Sequence, residues 1–231
     1  MSYYPILVDL KGKKVIVVGG GAVAHRKIER LLEYGAQVHV ISKELTAPLT
    51  TYLEEGKIEL LGREFKENDL KGAFMVIAAT NDALFNQRVS KAARKRGLLI
   101  NAVDQPSDCN FIVPSILKRG DLLIAVSTSG KSPALAKKVR EELEESFGNE
   151  YKPLLVLMGH LRKEVLSRQL SQDENRRIFY ELVNSRILEA IAKKNWNEVA
   201  TILNRISGTQ LSPEDVTRIV SEASSLSTGE T

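Results

Sequence analysis

Cysteine, histidine and aromatic residues are all scarce in this 231-residue chain: one cysteine (Cys109), three histidines and 6% aromatics. A single thiol excludes an internal disulfide framework and fits a reducing compartment, so a cytoplasmic protein is expected. His25, His39 and His160 are scattered, and Cys109 has no second cysteine at ligand spacing. No metal site is therefore expected. No apolar run approaches the ~20 residues that span a bilayer. The opening MSYYPILVDL also lacks the basic start and long apolar stretch of a signal peptide. Ser127, Thr128 and Ser129 have no neighbouring histidine, which argues against a hydrolase triad. With few aromatics and no RNA- or DNA-binding motif, a nucleic-acid partner is not expected.

Charge is present but unevenly spread. The net value is +4, yet the stretch from Phe85 to Arg140 carries eleven Lys/Arg against Asp104, Asp108 and Asp121. That is +8, leaving −4 on the rest of the chain. Solvated helix faces are often basic, but a focus of this size also attracts a polyanion, here a small molecule with many carboxylates.

The chain also opens on a strong local motif. Val15, Ile16, Val17 and Val18 form a buried-strand run, followed by Gly19-x-Gly21-x-x-Ala24 and a helical stretch over 23–34. Strand, glycines and helix in this order are the setting a dinucleotide fingerprint requires. Gly19 permits the tight turn, Gly21 lets backbone approach a pyrophosphate, and Ala24 lets the helix lie close to the strand. The phosphates would rest on the free N–H groups of the helix start. Gly130-Lys131-Ser132 superficially resembles a P-loop, but position 125 is alanine where that motif needs glycine.

Further strand-like runs at 38–41, 58–61, 75–78 and 98–101 alternate with helical segments near 47–55 and 83–96. Alternation of this kind predicts an α/β fold, a Rossmann-like parallel sheet covered on both faces, closing near Ile112. A strand over 122–126 and a helix from Pro133, capped by Ser132, follow. Beyond Gly148 the pattern is purely helical: 151–169, 178–193 behind a Ser171–Glu174 capping box, 197–206, and a short helix from Ser212. The end beyond Ala223 is expected to fray. Leu182, Ile187, Leu188 and Ile191 make an apolar stripe that reads as core or subunit interface.

Polar residues at strand ends mark the candidate site. The second strand runs into Ser42-Lys43-Glu44, with Ser42 where an NAD-binding protein usually has its ribose-binding acid. NAD is the preferred cofactor, although Ser42-Lys43 could tolerate the 2′-phosphate of NADP. The fourth strand ends in Thr80 and Asn81, which should face the cofactor. The fifth leads to Asp104, either a general acid/base at the same rim or a carboxylate shaping its own loop.

Three phrases bring a resemblance. PILVDLKGKKVIVVGGGAVAHRKIERLLEYGAQVHVIS, VIAATNDALFNQRVSKAARKRG and NAVDQPSDCNFIVPSILKRGDLLIAVSTSGKSPALAKKVREELE resemble the precorrin-2 dehydrogenase module of siroheme synthases. The likeness is nearly continuous over 5–145. It implies an NAD-binding domain over 1–112, a dimerisation segment over 113–147 and a helical domain over 148–231, in a homodimer. It implies oxidation of precorrin-2 to sirohydrochlorin with NAD⁺, and in some members Fe²⁺ insertion to give siroheme. Cofactor contacts are implied at Ala22, Val23, Lys43 and Glu44 beside Gly19 and Gly21, and the family's essential aspartate falls on Asp104. A serine phosphorylated in some relatives corresponds to Thr128. The competing expectation is an NAD-sensing regulatory module without catalysis.

Overall fold

Both faces of the central sheet are covered, which is why Val15–Val18 and Met75–Ala78 at its centre are continuous apolar runs. β1 (Lys14–Val18), β2 (Gln37–Ile41), β3 (Ile58–Gly62), β4 (Met75–Ala78) and β5 (Leu99–Ala102) are all parallel, in the order β3-β2-β1-β4-β5. They belong to a computed structural model that describes residues 3–226. Val15 and Val17 pack with α1 (Ala22–Glu33) and α2 (Ala47–Glu54). Ile16 and Val18 pack on the opposite face with α3 (Ala83–Lys95). Period-two alternation thus divides one apolar run between two cores. The chain builds outward from β1 to β3, then crosses back to β4 on the other side of β1. That reversal opens a crevice at the carboxyl ends of β1 and β4.

The chain divides into two compact units. The first runs to Val113 and includes Ser129–Lys131; the second holds the rest from Pro114 onward. In the second, β6 (Ser115–Arg119) pairs antiparallel with β7 (Leu122–Val126) around Gly120, whose φ is 62°. The apolar pattern marks β7 but not β6, because Ser115, Lys118 and Arg119 interrupt it. α4 (Pro133–Ser146) begins as expected, with the Ser132 hydroxyl accepting the Leu135 N–H at 3.2 Å.

Helices α5 (Tyr151–Ser167), α6 (Gln172–Val183), α7 (Ile187–Ala192), α8 (Trp196–Ser207) and α9 (Pro213–Leu226) enclose the second unit's core. Leu182, Ile187 and Ile191 are buried there and Leu188 packs against it, so the apolar stripe is core. One expected helix is two. Asn184 donates to the Tyr180 carbonyl at 2.7 Å and Ser185 to the Leu182 carbonyl at 2.7 Å, ending α6 three residues before α7. Such short-range side-chain bonds compete with the helical ladder. α9 is not short but has 14 residues and reaches Leu226. The remainder of the expected frayed end lies outside the described residues.

Candidate functional site

A cavity of about 820 Å³ lies over the carboxyl ends of β1, β2 and β4. Gly19, Gly21, Ser42, Lys43 and Glu44 all line it, as do Thr80 and Asn81. Ala22 and Val23 at the start of α1 do not, and Ala24 is fully buried in the core, where its small side chain lets α1 approach the sheet.

The three consecutive glycines have different jobs. Gly19 has φ of 128°, and a Cβ there would stand 2.4 Å from the Ala79 carbonyl oxygen. A Cβ on Gly20 would stand 2.1 Å from the Glu44 carbonyl oxygen and 2.6 Å from the Ser42 hydroxyl. One on Gly21 would meet nothing within 4 Å. The first two glycines therefore make room for protein, and the third leaves room for a ligand. The fingerprint assigns no role to position 20, so the local pattern does not single out Gly20.

The β2–α2 loop is tied to this turn. The Ser42 hydroxyl donates to the Glu44 carbonyl at 2.6 Å, and the Thr46 N–H donates to the Gly20 carbonyl at 3.0 Å. Ser42 therefore shapes the loop rather than presenting a free hydroxyl, leaving the Lys43 and Glu44 side chains exposed at the rim.

A dinucleotide fits this cradle. α1 starts with Gly21 as its cap residue, without a side-chain cap and without an acid in its first turn. Its first N–H groups and the positive end of its dipole are thus left for an anion. The Thr46 hydroxyl lines the same cavity as a buried polar atom with no partner among the described residues.

Across the crevice, Thr80 is held by Asn86, a residue 2% exposed on α3. Asn86 Oδ1 accepts from the Thr80 hydroxyl at 2.7 Å and the Thr80 N–H at 3.2 Å, while its Nδ2 donates to the Thr80 carbonyl at 2.9 Å. Asp82 caps α3 by accepting the Phe85 N–H at 3.0 Å. Asn86 was not foreseen. Its signal was an amide on the helix face shared with Val89 and Ala93, where a polar group needs a partner.

Asp104 follows β5, two residues beyond Ala102, whose register partner Ala78 stands two residues before Thr80. It is therefore at the same sheet edge but does not line the 820 Å³ cavity. The side chain is exposed, and the backbone is left-handed with φ of 60°, a conformation Asp adopts more readily than most residues.

Its loop is firmly anchored. Ser90 donates to the Asp108 carbonyl at 2.5 Å, and Arg94 to the carbonyls of Ser107 and Cys109 at 3.0 and 2.7 Å. Asn110 accepts the Ile100 N–H at 2.8 Å and donates to the Leu98 carbonyl at 2.8 Å. The Cys109 thiol accepts from the Ala102 N–H at 3.2 Å and lies 3.3 Å from the Gln105 carbonyl, bridging the two sides of Asp104. Burial pushes the thiol pKa up, keeping its proton available as a donor.

Lys27 of α1 is half-buried. Burial, then Arg30 and Arg26, hold its ammonium below the usual lysine range, while Cys109 and Asp104 pull the other way. No group of three or more His, Cys, Asp or Glu able to hold a metal exists among the described residues. Among those residues, no helix is long and apolar enough to cross a membrane.

An NAD(P)-binding family model matches residues 6–115, and the sirohaem biosynthesis protein central model matches 119–146. A siroheme synthase of Vesicomyosocius okutanii is 38% identical over 188 residues, 81% of this chain and 40% of that protein. Siroheme synthase 2 of Yersinia pestis is 37% identical over 229 residues, 99% of this chain and 47% of that protein. The chain thus spans about half the length of the curated relatives it matches. A solved structure titled SirC, precorrin-2 dehydrogenase, superposes with a TM-score of 0.73 at 28% identity, covering 90% of this chain and all of that one. Two family models in succession, with siroheme synthases aligned along nearly the entire sequence, show that this chain corresponds to the NAD(P)-binding and central parts of siroheme synthases.

Proposed function

We propose that this chain oxidises precorrin-2 to sirohydrochlorin, using NAD⁺ as acceptor and releasing NADH and a proton. The reading is carried by one observation: the likeness to precorrin-2 dehydrogenase covers that structure entirely, in a chain whose glycine turn is shaped for a pyrophosphate. The nicotinamide, when bound, accepts the hydride given up by a macrocycle carbon. The protein's own residues do the rest. Gly19 and Gly20 fix the turn, the start of α1 takes the pyrophosphate, and Lys43 with Glu44 flanks the adenosine end. Asn86 holds Thr80 against the crevice, with Asn81 beside it. Asp104 takes the proton or orients the substrate, a role worth typically ~10²–10⁴ in rate. Its exposure suits contact with a large substrate better than burial would.

Fe²⁺ insertion is the second reaction proposed. Ring nitrogens lose protons as the ion enters, and Asp104 is the carboxylate at the same sheet edge. Residues 113–147 are proposed as the dimerisation segment of a homodimer. Leu122, Leu123, Ile124 and Val126 of β7 are only half-buried within one chain, which leaves apolar strand surface for a second copy. The lone buried cysteine suits a cytoplasmic setting.

Absorbance of precorrin-2 with NAD⁺, followed by Fe²⁺ or Co²⁺, tests oxidation and metallation in one cuvette. Conversion by the wild type with loss in Asp104→Ala is expected. Normal turnover by that variant overturns the role of Asp104, and NAD binding without turnover favours a sensing module instead. Light scattering should report twice the chain mass.

A further inference from the structure

Beside the dinucleotide cavity lies a second, smaller one of about 210 Å³, bounded by Phe65, Glu67, Arg88, Lys91, Ala92 and Lys95. The two share Phe65 and Arg88, so one guanidinium stands in the walls of both. From these features we infer that the groove is an anion subsite taking one carboxylate arm of the polycarboxylate substrate. This inference rests on the proposed function and names residues for its substrate.

The charges on α3 are arranged unlike those of an ordinary solvated helix. Arg88, Lys91 and Lys95 are spaced i, i+3 and i+7, which puts them on one face, and all three are exposed. The helix sequence ALFNQRVSKAARK contains no acid at all. α4 is the contrast, since Lys137, Lys138 and Arg140 each pair with a glutamate four residues on. Like charges at these spacings repel by a few tenths of a kcal/mol per pair unless an anion joins them.

The groove's one acid, Glu67, is bound to Arg96 at 3.2 Å, so its charge is compensated by a residue that does not line the groove. Lys91 donates to the neutral Gln87 amide oxygen at 3.3 Å, and no acid pairs with it among the described residues. Arg94, the remaining cation on the same helix near this face, is occupied by the carbonyls of the Asp104 loop.

An aromatic wall sets the position of the shared cation. Phe65 and Phe85 meet edge to face with centroids 6.2 Å apart, and the Arg88 guanidinium lies 5.7 Å from the Phe85 centroid. Stacking of this kind orients a guanidinium without neutralising it. The groove has room for an acetate or propionate arm and not for a macrocycle, so the ring itself would have to lie outside it. Its contribution is to recognise and orient the substrate, a positioning role.

The test uses the full-length chain with uroporphyrin, a stable porphyrin bearing a ring of acetates and propionates, followed by fluorescence. Wild type should bind it with an affinity that falls as salt rises. Lys91→Glu/Lys95→Glu should weaken binding at least tenfold and raise the KM for precorrin-2 with little change in kcat. Lys91→Gln/Lys95→Gln should fall between. NADH affinity and melting temperature should stay unchanged in both, since neither lysine lines the dinucleotide cavity. Porphyrin affinity and KM within twofold of wild type in the charge-reversed protein overturn the subsite, even where wild type oxidises precorrin-2. A wild type that neither binds the porphyrin nor oxidises precorrin-2 overturns both this inference and the function beneath it.

Discussion

Adjacent glycines 20 and 21 should respond in opposite ways to the same added methyl group. Alanine at 20 collides with the Glu44 carbonyl, a backbone atom that cannot rotate aside, so the β2–α2 loop must shift. Gly20→Ala should cost about 1–3 kcal/mol in urea denaturation, as overpacking does, and lower NADH affinity as well. Alanine at 21 meets no atom, and the backbone there has φ of −85°, which any residue accepts. Gly21→Ala should leave stability unchanged or raise it by up to about 1 kcal/mol. Its methyl nevertheless stands where the ligand backbone contact is made, so NADH affinity should fall at least tenfold. A Gly21→Ala protein binding NADH like the wild type sinks this assignment. The sequence revealed that glycines were needed at this turn because the fingerprint is local. It did not reveal which glycine serves the protein and which the ligand. That depends on Glu44 and Ala79, which lie 24 and 60 residues away from the glycines they crowd.

At the level of elements, strands and helices whose cause is local periodicity were legible, and those whose cause is a partner were not. β1 through β5 follow from apolar runs bounded by polar ends, whereas β6 exists because β7 pairs with it. The continuous pattern over 178–193 hid the break at Asn184–Ser185, where two side chains outcompete the helical ladder. Thr80 and Asn81 were legible from their place at a strand end, but Asn86, which fixes Thr80, was not. Asn86→Ala would strand the Thr80 N–H and carbonyl inside the protein. A loss of ~1–3 kcal/mol in urea denaturation is expected, together with weaker NADH binding; unchanged stability would show that water replaces the amide. His39 tests the pairing of β2 with the edge strand β3. It stands opposite Glu59 of β3, with Nδ1 and Oε2 3.1 Å apart. Burial holds its pKa below 6.5, assisted by Lys14 and opposed by Glu59. The unfolded chain therefore takes up the proton first as pH drops. Stability is full above about 6.5, declines below it, and levels off once the folded histidine is also protonated. Melting temperature should fall less between pH 8 and pH 5 in His39→Gln than in the wild type; equal falls in both would remove His39 as the cause.

Over the whole molecule, contacts divide the chain after Val113, and the short return of Ser129–Lys131 to the first unit left no trace in the pattern. The basic concentration between Phe85 and Arg140 was also visible, but its pairing was not. On α4 the cations are matched by glutamates and on α3 they are not, and the folded arrangement shows which pairs form. The two units have separate buried cores, one pair of clusters around the sheet and one within the helices. All residues lining the dinucleotide cavity belong to the first. A ligand stabilises only the state it binds, by about 2.7 kcal/mol at a hundred times its dissociation constant. Calorimetry without ligand should therefore resolve two transitions. NADH at that concentration should raise one of them by roughly 10 °C, given the entropy of unfolding for a domain of this size, and leave the other in place. Weakening the anion contact through Gly21→Ala should cut that shift to about half or less, without lowering either transition in the absence of NADH. If both transitions climb together, or a single one is raised as a whole, the two cores unfold as one cooperative body and the separation argued from their packing is wrong.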